Sequence, residues 1–261
     1  MQRKEPKLVS NLHRYEKSGI SLVSALRRVM LDVGAGWHTR GIAAKVLALV
    51  DARGAVVSLL DLFFAQTDKI DLWETALTIE WLGDRAAVRP LVDALYDTNP
   101  HRRHAAARAL GWIPEAGGRA ARALIRALSD RSQPQPVREE AAESLAYLNY
   151  AQAIPALITV LDEPDVRIRF WAVFALGGIG QWQRERGGAD PRVVAALEGV
   201  LSDEHVAPGN WWSVGREAFA MLGQLEPGYR AKLGYETKRV LRDSNSSPED
   251  LRWAEGYSLR Q

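Results

Sequence analysis

The residues of this chain that could do chemistry are aspartates and arginines that recur as pairs. An arginine follows an aspartate by six to eight residues four times, and a fifth aspartate has Gly215 in the place of the arginine. The aspartates are Asp32, Asp97, Asp130, Asp162 and Asp203, and the arginines are Arg40, Arg103, Arg138 and Arg169. A carboxylate beside a guanidinium could act in acid–base chemistry or form a bidentate ion pair. A catalytic pair is needed once, so the repetition indicates a structural role, within a repeat or between repeats.

The arginines belong to a longer repeat that indicates the fold class. Each is followed after three and four residues by Ala-Ala or Ala-Val, and after seven residues by a leucine. Two weaker copies have Thr75 and Gly215 in the arginine position. The repeat leucines are Leu47, Leu82, Leu110, Leu145, Leu176 and Leu222, which are 28 to 46 residues apart. Such a period is typical of stacked supersecondary units, which form a solenoid.

The copy over residues 150–181 predicts a pair of helices. Apolar residues at helical spacing from Ile154 to Leu161 predict a first helix, with Pro155 in its first turn. Asp165 is the predicted N-cap of a second helix, which we expect to end at Leu176 because Gly177-Gly178 follows. Other first helices are predicted near 19–31, 55–65, 86–96, 118–129 and 191–201. No segment alternates as a strand does, so we predict an all-α solenoid of about six helical pairs.

This pattern resembles the HEAT-repeat family, in the short bacterial form named after phycobilisome lyases. The strings that carry the resemblance are clearest from Asp130 to Val137-Arg138 and from Asp162 to Ile168-Arg169. The resemblance covers roughly residues 18–225 and implies a right-handed superhelix with second helices on its concave side. Family members scaffold, inhibit, attach bilins or bind DNA, so the resemblance indicates the fold more than the function.

The predicted organisation has four parts. Residues 1–17 form an N-terminal extension, 18–225 the solenoid, 226–243 a capping helix, and 244–261 a polar linker with a short helix and tail. Apolar residues make up 47% and charged residues 25%, as in ordinary folded proteins. The net charge of +2 gives no general reason to expect nucleic acid or acidic membranes. The absence of cysteine excludes disulfides and thiolate chemistry.

Localisation and cofactors follow from what the sequence lacks. No apolar run approaches the roughly 20 residues that span a bilayer, and no apolar segment of a secretory signal follows the charged start. We expect a cytoplasmic bacterial protein that contacts no membrane. The five histidines are scattered, and His101 with His104 has no nearby carboxylate, so we expect no metal and no cofactor. Known enzymatic motifs are missing, and we assign no catalytic residue.

Aromatic residues supply the first candidate binding site. Phe170, Trp171 and Phe174 share a helix face where other repeats carry His104 and Arg108, or Glu139 and Glu143. We expect this face to be exposed unless Trp182 and the insertion at 181–190 cover it. Further candidates are tryptophans at the entrance of second helices, which would lie along one edge: Trp37, Trp73, Trp211 and Trp212. Exposed aromatic residues are typical of protein interfaces, so the leading prediction is a non-catalytic adaptor that binds another protein.

Arginines supply a second candidate site. The candidates for anion binding are Arg102, Arg103, Arg108, Arg119, Arg122 and Arg126. The last three recur at i, i+3 and i+7 and form a basic stripe on one predicted helix. The alternative function is therefore nucleic-acid binding, including glycosylase-like chemistry with Glu80 or Glu143 beside a tryptophan. A bilin lyase-like role, with a tetrapyrrole against Trp171 and Phe174, is a further alternative that the resemblance brings.

Overall fold

The computed structural model describes residues 19–65, 87–113, 117–209 and 212–258. The regular secondary structure in these ranges consists of helices. No strand forms in these ranges, where an isolated bridge joins Val206 to Ser213. The helices with full bounds are α1 Leu22–Leu31, α2 Trp37–Ala65, α3 Pro100–Gly111, α4 Gly117–Ser129, α5 Gln135–Leu148, α6 Ile154–Thr159, α7 Val166–Arg184, α8 Pro191–Gly199, α9 Val214–Leu225, α10 Pro227–Arg242 and α11 Pro248–Ser258. Residues 87–94 are also helical. The predictions that involve Trp73, Thr75, Glu80 and Leu82 lie outside the described residues.

The chain divides into two compact units, residues 1–124 and 125–261. In the first unit α1 packs against α2, and α2 packs against α3. Helix α2 contains a break at Asp51, whose φ of −151° and ψ of 71° are not helical. The break separates a second helix of one repeat from the first helix predicted over 55–65. Leu47 and Leu110 are fully buried, as the repeat pattern predicts.

The second unit is a series of packed second helices. Helix α7 packs between α5 and α9, and α6 and α8 contact α7. The repeat leucines Leu145, Leu176 and Leu222 are fully buried where these helices meet. Helix α10 packs on α9, and α11 packs on α10. Burial of the repeat leucine in each repeat that the structure describes supplies the apolar area that helical pairs need, since a single pair cannot enclose a core.

Helix α7 is longer than the sequence predicts. Asp165 caps it as expected, accepting bonds from the backbone N–H groups of Arg167 and Ile168 at 2.9 and 3.2 Å. The predicted end at Leu176 is wrong, because the helix continues through Gly177-Gly178 to Arg184. A Cβ on Gly177 would lie 2.7 Å from the Cβ of Met221, which is too close for a real contact. Gly177 therefore allows α7 and α9 to approach each other and does not end the helix.

Candidate functional site

The repeat arginines are structural, as their recurrence predicts. Arg40 and Arg138 each donate from Nε to the main-chain oxygen ten residues earlier, Met30 at 3.0 Å and Leu128 at 2.8 Å. Arg169 donates from NH1 to the main-chain oxygens of Glu163 and Pro164. Each bond satisfies a carbonyl near the end of a first helix, where no intrahelical donor remains. The guanidinium thereby fixes the first helix of a pair to the second.

Two of these arginines also join consecutive repeats. Arg138 donates from Nη1 and Nη2 to the two carboxylate oxygens of Glu163, both at 2.7 Å. Arg169 donates from Nε and Nη2 to the two carboxylate oxygens of Asp203 in the next repeat, at 2.8 and 3.3 Å. Asp162, the acid that the sequence pattern singled out in this turn, is exposed. The ion pairs therefore connect one repeat to the following one, and in one turn the neighbouring residue Glu163 supplies the carboxylate.

The periodic aspartates have a local role in the turns. In four of them a carboxylate oxygen accepts a bond from the backbone N–H two residues later, at 2.8 to 3.1 Å. The four are Asp32, Asp97, Asp130 and Asp203. This geometry is an Asx turn, which reverses the chain between two helices. This local role in four of the turns explains the period of the aspartates without any catalytic function.

The ion pairs change the acidity of their carboxylates. Two bonds from Arg138 hold the pKa of Glu163 below its ordinary value of 4.5, against the opposing effect of burial. Burial alone would raise the pKa of Asp203, but bonds from Arg169 and His205 leave that pKa below its ordinary value. Both groups are therefore charged at neutral pH and bound to cations, which is a poor arrangement for a general base.

The predicted aromatic face is only partly correct. Phe170 is 6% exposed and belongs to the core, whereas Trp171 and Phe174 are half-buried. The three rings meet edge to face, with Trp171 5.5 Å from Phe170 and 5.6 Å from Phe174 between ring centres. The rotation of α7 decides this difference: it turns Phe170 towards the core and leaves residue 171, 100° further round the helix, partly exposed. The accessible surface therefore consists of Trp171 and Phe174.

Trp182 extends this surface and does not cover it. Because α7 continues to Arg184, Trp182 lies eleven residues beyond Trp171, about 16 Å along the same helix face. The alternative that Trp182 folds back over Trp171 and Phe174 does not hold, because all three residues belong to one continuous helix. Trp182 is half-buried, with the Arg186 guanidinium 4.4 Å from its ring centre. We call Trp171, Phe174 and Trp182 the aromatic stripe; sequence analysis missed its third member because it ended the helix too early.

Gly178 lies in the middle of the aromatic stripe, one turn from Phe174 and one turn from Trp182. It is half-buried, and a Cβ there would lie 3.6 Å from the main-chain oxygen of Ala146, an ordinary contact. The absence of a side chain leaves a trough between two aromatic residues that are about 12 Å apart along the axis.

Helix α5 borders the aromatic stripe. Arg167 of α7 bonds to Glu139 of α5 at 3.4 Å, and Gln135 donates to the same carboxylate at 2.8 Å. Burial raises the pKa of Glu139, and the charge of Arg167 opposes that rise. Tyr147 is 46% exposed and donates to Glu143 at 3.3 Å. The border is thus polar and ordered, as the rims of protein interfaces are.

Of the remaining tryptophan candidates, the structure describes the side chain of Trp212. The indole N–H of Trp212 donates to Glu217 at 2.5 Å, and Glu217 is 1% exposed. Trp212 is half-buried at the start of α9, so this bond holds the ring against the core. Trp37 begins α2, but its side chain, like Trp73 and Trp211, lies outside the described part. The predicted tryptophan edge therefore remains a prediction.

The candidate arginines differ in exposure. Arg119, Arg122 and Arg126 are exposed on α4 at the predicted helical spacing. The other three are half-buried on α3, and one of them, Arg102, lies 3.6 Å from Asp97. Within the residues that the structure describes, no group of three or more histidines, aspartates or glutamates is arranged to hold a metal. No helix in the same ranges is long and apolar enough to span a bilayer.

The fold and the repeat geometry define a class of proteins built from stacked helical pairs. The chain belongs to the HEAT-repeat family, whose profile matches residues 56–146 and 121–213, together more than half of its length. The predicted fold class, an all-α solenoid of HEAT-like pairs, is confirmed by this match. No curated protein sequence gives a significant match.

Solved structures share the fold. The chain is similar to a chain of the CpcE–CpcF complex of phycocyanin lyase from Nostoc sp. PCC7120, with 20% identity and a TM-score of 0.50 over 64% of this chain and 98% of that chain. It is also similar to a Kap121p mutant, with 15% identity and a TM-score of 0.50 over 90% of this chain and 28% of that chain. At these identities the similarity shows the fold alone. That fold includes the short HEAT-like repeat that the sequence resembles.

Proposed function

We propose that this HEAT-repeat protein is a non-catalytic adaptor that binds a partner protein across the aromatic stripe of α7. The observation that carries the proposal is the accessible trough at Gly178, between Phe174 and Trp182. Partly exposed aromatic residues around a small concave site are typical of interface hot spots. The occupant is a partner segment that inserts one apolar side chain, such as leucine or phenylalanine, while its polar flanks contact the border on α5.

The roles of the ionic residues support a non-catalytic function. Arg138 and Arg169 are saturated with bonds to carbonyls and carboxylates that hold repeats together. The periodic aspartates form turns. The residues best able to do acid–base chemistry are therefore used for folding. The aromatic stripe is the surface where this chain departs from the repeat pattern.

A substitution that fills the trough tests the proposal. Gly178→Leu places a side chain where the partner's residue would lie, and its Cβ meets only an ordinary contact with Ala146. The full chain and the variant are compared by affinity capture with quantitative mass spectrometry, and by thermal melting. We expect Gly178→Leu to lose at least one protein that the wild type captures and to melt at or above the wild-type temperature, because glycine weakens a helix.

A matched control and a truncation complete the experiment. Gly199→Leu, at the last residue of α8 and with no atom within 4 Å of its Cβ, should capture the same proteins as the wild type. Trp171→Ala with Phe174→Ala should cost about 2 kcal/mol or more of binding. If Gly178→Leu captures every protein at the wild-type yield, the trough is not an interface. If the double variant loses stability but no partner, its rings serve the core.

A further inference from the structure

A second surface of the chain combines cations with an exposed aromatic ring. Helix α10 buries Leu233, Thr237 and Val240 on one side. The opposite side carries exposed residues at helical spacing, which we call the basic face: Lys232, Tyr235, Lys238, Arg239 and Arg242. Tyr235 is 68% exposed. An aromatic ring so open to water, among four cations, is unusual for a helix whose role is only to cap a repeat array.

The basic face has little opposing charge. Glu236 is the single acid of α10, and Arg239 binds it at 2.9 Å. Lys232 lies 5.0 Å from the ring centre of Tyr229. Among the described residues, neither Lys238 nor Arg242 pairs with a carboxylate within 4.0 Å. Asp243 directly follows the helix and also interacts with Arg239, so the four cations of the basic face have two acids beside them along about three turns of one helix.

A groove lies beside Tyr235. Its volume is about 570 Å³, and it is lined by Phe219, Ala231, Lys232, Tyr235 and Glu236. Phe219 forms a fixed wall, because its ring meets Tyr229 edge to face at 6.2 Å and stacks on Trp253 at 6.3 Å. The groove thus has a packed aromatic side on α9, an exposed aromatic side at Tyr235 and a cation at its edge.

We propose that the basic face of α10 binds single-stranded nucleic acid. One base stacks on Tyr235 at the groove, and the adjoining phosphates contact Lys232, Lys238 and Arg242. Proteins bind single strands through this combination of stacking rings and cations that follow the backbone. An acidic peptide would match the cations but offers no planar ring to Tyr235, so the aromatic groove favours a nucleic acid. This site is separate from the aromatic stripe and does not depend on the proposed adaptor function.

Fluorescence anisotropy of the full chain tests the proposal. The probe is a fluorescein-labelled oligothymidylate of about twelve nucleotides, titrated at low salt and at increasing salt. We expect Tyr235→Ala to weaken binding about tenfold and Tyr235→Phe to retain it, because stacking needs the ring and not the hydroxyl. Lys238→Gln and Arg242→Gln should each reduce the slope of log K against log salt by about 0.7. All four changes lie on the exposed side of α10, so the fold is preserved.

Several results would overturn the proposal. An abasic strand of the same length that binds equally well would exclude stacking. A labelled polyglutamate peptide that binds equally, without dependence on Tyr235, would identify a general acidic-peptide surface. Loss of binding in Arg126→Gln, with no effect of Arg242→Gln, would place the site on the α4 stripe instead. Absence of measurable binding at low salt would also contradict it.

Discussion

Arg138 and Glu163 form a two-bond ion pair between consecutive repeats, with both bonds at 2.7 Å. The two side chains are only 8% and 9% exposed. Arg138 also holds the main-chain oxygen of Leu128, so one guanidinium connects its own repeat and the next. The guanidinium of Arg138 is planar, so its hydrogen bonds point in fixed directions. These bonds therefore set the spacing of neighbouring helical pairs.

Removing the carboxylate should destabilise the fold strongly. We expect Glu163→Ala to lower the free energy of unfolding by about 3–5 kcal/mol, because Arg138 would be left buried without its counter-charge. Urea unfolding followed by circular dichroism measures the change. Arg192→Ala is the control, since Arg192 is exposed and the loss of its pair with Asp190 should change the stability little. Equal stabilities of Glu163→Ala and the control would show that the pair does not hold the repeats together.

The same pair predicts a pH dependence. The pKa of Glu163 is lowered from 4.5 in the folded chain, so its stabilising effect is present above that value and is lost as the pH falls through the folded pKa. The stability difference between the wild type and Glu163→Gln should therefore be full near pH 7 and shrink below about pH 4.5. Urea midpoints of both proteins across this range provide the measurement. A difference that stays constant into acid would contradict the assigned pair.

The two adjacent glycines of α7 should respond oppositely to alanine. Alanine normally stabilises a helix relative to glycine by about 1 kcal/mol, and Gly178→Ala should show this gain because its Cβ meets only an ordinary contact. Gly177→Ala should instead cost about 1–3 kcal/mol, because its Cβ would collide with Met221. Thermal melting measures both effects. Met221→Ala should relieve part of the cost in the double variant, because it removes the side-chain atoms beyond Cβ that also lie too close. Two glycines with equal responses would contradict the close packing of α7 and α9.

Much of the fold could be predicted from the sequence because the repeat signals are local. The arginine–leucine spacing fixes which helix side is buried, and Asp165 is a cap that needs only its own neighbours. The partner of Arg138 was harder to predict. Asp162 occupies the acid position that recurs in the repeats, whereas the residue that binds Arg138 is its neighbour Glu163. Which of two adjacent acids meets the guanidinium depends on the turn geometry, which sequence spacing does not determine.

The candidate site was harder to predict than the fold. Gly177-Gly178 is a common helix end, and its use for close packing depends on Met221, which is 44 residues away in the sequence. Whether α7 ends at Leu176 or continues to Arg184 decides where Trp182 lies. The length of the aromatic stripe depends on the same point. The side that Phe170 faces likewise depends on how α7 is rotated against α5 and α9. Tertiary packing, and not local preference, decides these features.

Site-specific photo-crosslinking tests the proposed interface most directly. Benzoylphenylalanine replaces Phe174 in the aromatic stripe, and in a parallel chain it replaces Tyr96, which is 50% exposed in the first unit. After irradiation in cells, we expect the Phe174 probe to form a defined covalent adduct with a partner protein, an adduct that Gly178→Leu abolishes and that the Tyr96 probe does not form. Identical adducts from both positions, or an adduct that persists with Gly178→Leu, would contradict binding at this stripe.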